Sequence, residues 1–258
     1  MDKTDGERIA KRMARAGVAS RREAERMIEA GRVSVNGKRL QSPALNVTER
    51  DKITVDGKPI DRPEPARLWR YHKPAGLVTT SRDEQGRRTV FDALPPELPR
   101  VMSVGRLDLN SEGLLLLTND GELKRRLELP STGWLRKYRV RVHGTPDEKV
   151  LAPLRKGLVI GGEKFRAMSV DLDRQQGGNA WLTVGLREGR NREIRRVMEA
   201  VGLKVNRLIR ISYGPFQLGE LERGNVEEVR RKVLADQLGS RNVDGDTARS
   251  GRPRGVKR

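Results

Sequence analysis

Arg106 and Asp108 stand one leucine apart in the run G-R-L-D-L-N-S-E-G-L-L-L-L-T-N-D, residues 105–120. An acid and a base so spaced leave the backbone together. A carboxylate held against apolar walls beside a cation is a candidate nucleophile or general base, because such neighbours set its pKa. Taken alone, an aspartate in a loop is more often a turn or capping residue. Further along, R-E-G-R-N-R-E-I-R-R collects Arg190, Arg192, Arg195 and Arg196. Like charges at that density repel unless something anionic joins them, and either a carboxylate or an RNA phosphate would serve. Other chemistries are excluded by what is missing. Without cysteine there is no disulfide, thiol catalysis or thiolate metal site. The only histidines, His72 and His143, lie far apart, so no metal centre is expected. Asp171 and Asp173 read as a solvated strand end, and Gly161-Gly162-Glu163-Lys164 lacks the glycine spacing of a phosphate-binding loop.

Positioning these groups requires definite elements. Val101, Met102 and Val104 before the Asp108 segment, and Leu114 to Leu117 after it, predict two buried strands with a tight loop between them. Gly121 to Leu129 predicts a short helix stopped by Pro130. In W-L-R-K-Y-R-V-R-V-H-G, Tyr138, Val140 and Val142 alternate with Lys137, Arg139 and Arg141, which predicts a strand with one buried and one basic face. Thr145-Pro146-Asp147-Glu148 predicts the cap of another helix with Pro at its first position. Strands are expected between Gly157 and Arg174 and over A-W-L-T-V-G-L. Ile194, Val197, Met198 and Val201 then form a helical stripe that Gly202 ends, with the arginines at its entrance. V-N-R-L-I-R-I-S-Y-G is a further strand, and Asn225 to Leu238 predicts a last amphipathic helix started by Asn225 and Glu228.

The beginning of the chain reads differently. Ile9, Met13 and Ala16 share one helical face, and Gly17 supplies a stop. Ser20 and Glu23 form a capping box for a second helix ending at Gly31. V-S-V-N-G-K-R-L and I-T-V-D-G-K-P-I predict two hairpins about Asn-Gly and Asp-Gly turns. D-R-P-E-P, residues 61–65, is a linker. A strand L-W-R-Y-H-K-P follows it, then a basic, proline-rich loop with a short helix between Ser81 and Arg100, where Arg82, Arg87 and Arg88 are candidates to face an anionic partner. Residues 239–258 carry almost no apolar side chains and are expected to form a disordered basic tail.

The pattern A-x-x-G-V-A-S-R-R-E-A-E-x-x-I-x-x-G-x-V-x-V-N-G resembles the S4 RNA-binding domain. That resemblance implies that Ser20, Arg21, Arg22, Arg32 and Lys38 lie against RNA. The string G-R-L-D-x-x-S-x-G-L-L-L-L-T-N-D-G, the K-Y-x-V run and E-G-R-N-R-E-I-R-R resemble three motifs of the RsuA/RluB family of ribosomal RNA pseudouridine synthases. By that resemblance Asp108 is catalytic, Tyr138 lies in the active site against the target base, and Arg195 pairs with the aspartate. Arg106 fills the gap left by a flipped uridine, Leu208 packs near the site, and Arg192 meets substrate. His72, where relatives often carry Asn, departs from the pattern. The fold implied is α+β: an S4-like αα-hairpin plus β domain over residues 6–65, then a synthase domain over 66–238 with a mixed, largely antiparallel sheet flanked by helices.

Composition agrees with an RNA partner. Lys and Arg number 54 against 35 acids, a net charge of +19, which suits a polyanion. No apolar run approaches the ~20 residues of a membrane span, and the first residues, M-D-K-T-D-G-E-R, have no apolar core of a signal peptide. The expectation is a cytoplasmic, monomeric enzyme acting on ribosomal RNA, most closely of the large subunit. Isomerisation needs neither electrons nor an energy carrier, so no cofactor is expected. A small-subunit synthase, or an S4-type binder in ribosome assembly without catalysis, are the alternatives; the motifs at Asp108, Tyr138 and Arg195 argue against the binder. A nuclease would want metal-binding carboxylates or a histidine pair, and a glycosylase would release free uracil.

Overall fold

The computed structural model describes residues 6–238; the expected tail, residues 239–258, lies outside the described residues. Near the N-terminus, helices Ile9–Arg15 and Arg21–Glu29 pack on a small sheet. The Ser20 hydroxyl accepts a hydrogen bond from the Glu23 amide at 3.1 Å, satisfying one of the otherwise unpaired first-turn donors. Strands Val33–Val35 and Ile53–Val55 pair antiparallel, and each turns back through a tight hairpin. Asn36-Gly37 and Asp56-Gly57 all adopt positive φ, the backbone that a two-residue hairpin loop with the native strand twist requires. Ile9, Met13, Ala24, Ile28, Val33 and Ile53 close a separate hydrophobic core.

The larger unit is built on one sheet. Its strands run in the spatial order Ser169–Gln176, Asn179–Leu186, Arg136–His143, Lys204–Tyr213, Glu112–Thr118, Leu68–Lys73 and Val226–Glu228. All neighbours on that path are antiparallel except one: Lys204–Tyr213 runs parallel to Glu112–Thr118. Glu112–Thr118 is buried throughout because apolar layers cover both faces of the sheet there. Leu115 and Leu117 join Tyr71, Val140, Leu182 and Val197 on one face. Leu114 and Leu116 join Leu68, Val104, Leu123 and Leu127 on the other. On Arg136–His143, buried Tyr138, Val140 and Val142 alternate with exposed Lys137, Arg139 and Arg141, as the sequence pattern predicts.

Two expectations are corrected. Residues 225–238 do not form one helix. Val226–Glu228 is an edge strand against Leu68–Lys73, held also by Arg67 to Glu228 at 2.5 Å and Arg70 to Glu227 at 2.8 Å, and the helix spans only Arg231–Leu238. An available sheet edge outweighed helix propensity, which is weak in so short a segment. Helix Glu148–Lys156 is capped by Asp147, whose carboxylate accepts from the Val150 amide at 2.9 Å. Pro146 therefore precedes the cap instead of occupying the first helical position.

Between Ser81 and Arg100 the only regular element is the 3-10 turn Phe91–Ala93. Asp171 is exposed, and Asp173 accepts from the Thr183 hydroxyl at 2.9 Å; among the described residues no acidic or histidine cluster could hold a metal ion. No helix among them is long and apolar enough to cross a membrane.

Candidate active site

Asp108 sits on the loop that joins Met102–Val104 to Glu112–Thr118, and that loop has almost no backbone freedom left. The Gly105 amide donates to Glu128 Oε1 at 2.6 Å. From residue 106 to residue 111 every carbonyl is engaged. Arg210 Nη1 reaches the Arg106 oxygen at 3.5 Å and the Thr79 hydroxyl donates to Leu107 at 2.7 Å. The Ser111 amide donates to Asp108 at 3.0 Å and the Gly76 amide to Leu109 at 2.8 Å. Arg195 Nη2 donates to the Asn110 oxygen at 2.9 Å. Lys73 Nζ lies inside the turn, 3.2 Å from the Asp108 oxygen, 3.4 Å from that of Leu109 and 2.8 Å from that of Ser111. Cations from three separate segments thus hold one loop by its carbonyls.

With its backbone held, Asp108 presents a carboxylate that makes no hydrogen bond or ion pair to any described residue; it faces a cavity of about 510 Å³. Tyr138 and Leu208 form the apolar part of that cavity, 9% and 6% exposed, on neighbouring strands of the sheet. Arg106 and Arg192 stand exposed at its rim, and neither guanidinium makes a hydrogen bond or ion pair to a described residue. Arg192 precedes helix Glu193–Ala200 in the left-handed region, φ 49°, a strained backbone for a non-glycine residue that aims its side chain at the cavity mouth.

The structure brings Arg195 to this loop but not into an ion pair with Asp108. Its guanidinium binds the Asn110 and Val205 carbonyls, and its Nε is buried without a partner. Burial lowers its pKa from the ordinary arginine value, Arg192 adds to that, and the charge of Asp108 opposes it. The crowded arginines do find a carboxylate: Glu163 accepts from Arg190 at 2.7 Å and from Arg196 at 2.6 Å. In the N-terminal unit Arg21 and Arg22 are exposed, while Arg32 makes a paired contact with Asp56, 3.0 Å and 2.6 Å. Lys38 is exposed on a hairpin strand, and the Ser20 hydroxyl is occupied as a helix cap. His72 turns from the site, its Nδ1 2.7 Å from the Leu221 carbonyl oxygen.

Three residues at the site escaped the sequence reading. Lys73 is fully buried, and burial pushes its pKa down to about 8 against the opposing pull of Asp108 and Glu112. Arg210, 2% exposed, lines the cavity and donates from Nε to the Leu114 carbonyl at 2.7 Å. Glu193 lines it too; Glu193 Oε2 accepts from the Arg190 amide at 2.9 Å, Oε1 has no partner, and burial pushes its pKa up to about 7. A signal existed for the first two. Lys73 follows Trp69 and Tyr71 at strand spacing, and Arg210 lies between Leu208 and Ser212, so each is a cation on the buried face of a strand.

The family model described as RNA pseudouridylate synthase matches residues 67–200 and that described as S4 domain matches residues 7–53, so the chain belongs to the RNA pseudouridylate synthases, isomerases of RNA. Its relatives are of the RsuA/RluB type. An uncharacterized RNA pseudouridine synthase of Rickettsia prowazekii is 48% identical over 231 residues, 90% of this chain and 97% of the relative. The ribosomal large subunit pseudouridine synthase B of Haemophilus influenzae is 45% identical over 234 residues, 88% of this chain and 66% of the relative. A crystal structure of a pseudouridylate synthase superposes with a TM-score of 0.61 at 26% identity, covering 88% of this chain and 98% of the other.

Proposed function

We propose that this enzyme converts a specific uridine of large-subunit ribosomal RNA to pseudouridine, with Asp108 as the reacting carboxylate. The observation that carries the reading is a carboxylate without a partner among the described residues, on a loop whose carbonyls are engaged from residue 106 to residue 111, facing a cavity walled by Tyr138 and Leu208. The target class is supported by the large-subunit enzymes of Haemophilus influenzae and Salmonella typhimurium, 45% and 46% identical to this chain.

The reaction breaks the bond from the sugar C1′ to uracil N1, turns the base, and joins C1′ to C5, with the C5 proton lost and a proton gained at N1. An ionised carboxylate can begin it by attacking C1′ or by taking a sugar proton, and both routes require Asp108 unprotonated. Lys73 and Arg195 supply positive potential beneath it while each donates to loop carbonyls, Lys73 to Ser111 and Arg195 to Asn110. Tyr138 offers the flat face on which an extruded base regains part of its lost stacking, a few kcal/mol. Arg106, unpaired at the rim, is placed to enter the vacated stack.

In this reading residues 6–65 form the S4 unit and 66–238 the catalytic unit, and the protein works as a monomer in the cytoplasm. The test is pseudouridine mapping of large- and small-subunit ribosomal RNA transcripts incubated with the purified chain or its Asp108→Asn variant. The wild type is expected to convert one large-subunit uridine. The variant should convert none, although it keeps RNA affinity and changes stability by about 1 kcal/mol or less, since Asn preserves shape but has no comparably basic oxygen. Conversion by the Asn variant would remove Asp108 from the chemistry, and conversion confined to small-subunit RNA would reassign the target.

A further inference from the structure

A second cavity, about 940 Å³, lies between the S4 unit and the catalytic unit. Helix residues Lys11, Arg15 and Arg21 border it on one side, and the segment 91–103 on the other. It is not separate from the site. Gly105, Arg106 and Lys124 line both cavities, so the rim beside Asp108 is also the end wall of this groove.

Two properties of the lining define its occupant. Its wall is apolar and stiff: Phe91, Leu94, Pro95, Pro96, Leu98 and Pro99 follow one another along a single stretch of chain. Every charged residue on the lining is a cation, and neither Arg21 nor Arg106 makes a hydrogen bond or ion pair to a described residue, Arg21 lying only within electrostatic reach of Glu122, so the lining presents a surplus of positive charge to that wall. Apolar platforms opposite free cations are what an unpaired nucleic-acid strand requires, bases on one side and phosphates on the other. A duplex does not match, because its bases are hidden and A-form RNA offers phosphates and 2′-hydroxyls to polar surfaces.

We infer that this groove holds the unpaired nucleotides next to the target uridine, with bases against the Phe91–Pro99 wall and phosphates toward Arg21 and Arg106. The inference rests on the Asp108 reading of the neighbouring cavity. Continuity through Arg106 gives it a direction: a strand whose uridine turns into the Asp108 cavity enters the groove with its next nucleotides. The target would then be selected by an unpaired flank as well as by its own base.

The probe is a labelled oligouridylate of roughly ten nucleotides, within the ~4–16 typical of a single-strand site, carrying photoreactive 4-thiouridine. It is titrated against the full chain, beside an RNA duplex of equal length. Pro95→Glu is the principal variant because Pro95 is exposed and its replacement leaves the core untouched. Leu98→Ser is the second, tested after its melting temperature is compared with wild type. Loss of about 1 kcal/mol of apolar contact with a base corresponds to about fivefold weaker binding, so each folded variant should bind the oligouridylate about fivefold more weakly and the duplex unchanged. Crosslinks should map to residues 91–101. Unaltered oligouridylate affinity in Pro95→Glu, an equal loss for the duplex, or crosslinks confined elsewhere would overturn the inference. Polyglutamate binding to the wild type more tightly than oligouridylate, and losing that affinity in Pro95→Glu, would assign the groove to an acidic protein partner instead. Ribosomal RNA conversion by the wild type is measured alongside. If it proceeds while the groove variants bind normally, the groove is lost and the Asp108 reading stands; if it is absent, that reading fails by itself.

Discussion

At Lys73 a single ammonium does what a backbone turn cannot do alone. It gathers the Pro74, Asp108, Leu109 and Ser111 carbonyls around one charge, and with a pKa near 8 it stays protonated at neutral pH. Glu193 is its opposite, an acid whose ionisation burial and Glu188 oppose while the Arg190 amide and guanidinium favour it. Its folded pKa is raised from 4.5 to about 7, so the stability it contributes is fully present below about 4.5 and is lost as pH rises through about 7. Glu193→Gln keeps an acceptor for the Arg190 amide and cannot ionise. Its melting temperature relative to wild type should therefore climb between about pH 4.5 and 7 and then level off, a gain on the order of 3 kcal/mol at most. A constant offset across that range, read by calorimetry, would show that Glu193 does not titrate there.

Among the elements, the junction of Glu112–Thr118 with its neighbours carries the most constraint. Gly113 pairs with Arg210 on one side and Lys73 on the other, so the two buried cations that hold the Asp108 loop flank one glycine. At φ 101° it occupies backbone that L side chains rarely adopt, and a Cβ there would collide with the Arg210 carbonyl and amide. Gly113→Ala is expected to part the parallel strands and destabilise the protein by roughly 3 kcal/mol or more, with activity falling further than stability alone explains. Urea unfolding and turnover under conditions where the variant remains folded test this; a loss under about 1 kcal/mol would mean that the strands adjust freely. Strand Val226–Glu228 illustrates a different constraint, since its helix-compatible sequence yields to the open edge of Leu68–Lys73.

Over the whole molecule, the S4 unit is held to the catalytic unit by light, polar contacts. Lys11 meets Glu122, Arg15 lies 3.8 Å from Asp120, and Arg100 donates to the Ala19 carbonyl at 2.7 Å. Partly exposed ion pairs of this kind contribute about 0–1 kcal/mol each and weaken with salt. Much of the net charge of +19 therefore remains available to an anionic partner. Arg21 and Arg22 are exposed and make no hydrogen bond or ion pair to a described residue, Arg21 lying only within electrostatic reach of Glu122, whereas Arg32 is already engaged by Asp56. Replacing Arg21 and Arg22 with Gln should lower the slope of log affinity for ribosomal RNA against log salt by about one and a half, at roughly 0.7–0.9 per phosphate contact. Adding Arg32→Gln should change the slope little further. An unaltered slope in the double variant would leave both arginines as solvated surface.

Local patterns were legible in the sequence wherever neighbours along the chain carry the signal. The Ser20 cap, the Asn-Gly and Asp-Gly hairpins, the alternation around Tyr138 and the buried leucines after Asp108 all depend on short-range backbone preference and on one period of burial. Motif resemblance added the family and the candidate aspartate. Only the tertiary structure decided what closes the Asp108 loop, because Lys73, Arg195 and Arg210 reach it from 35, 85 and 104 residues away in the chain. It also settled that Arg195 holds a carbonyl instead of pairing with Asp108, and that residues 226–228 complete a sheet. Cations satisfy carbonyls, and edges satisfy strands, through groups that meet only once the chain has folded; no local window contains both partners.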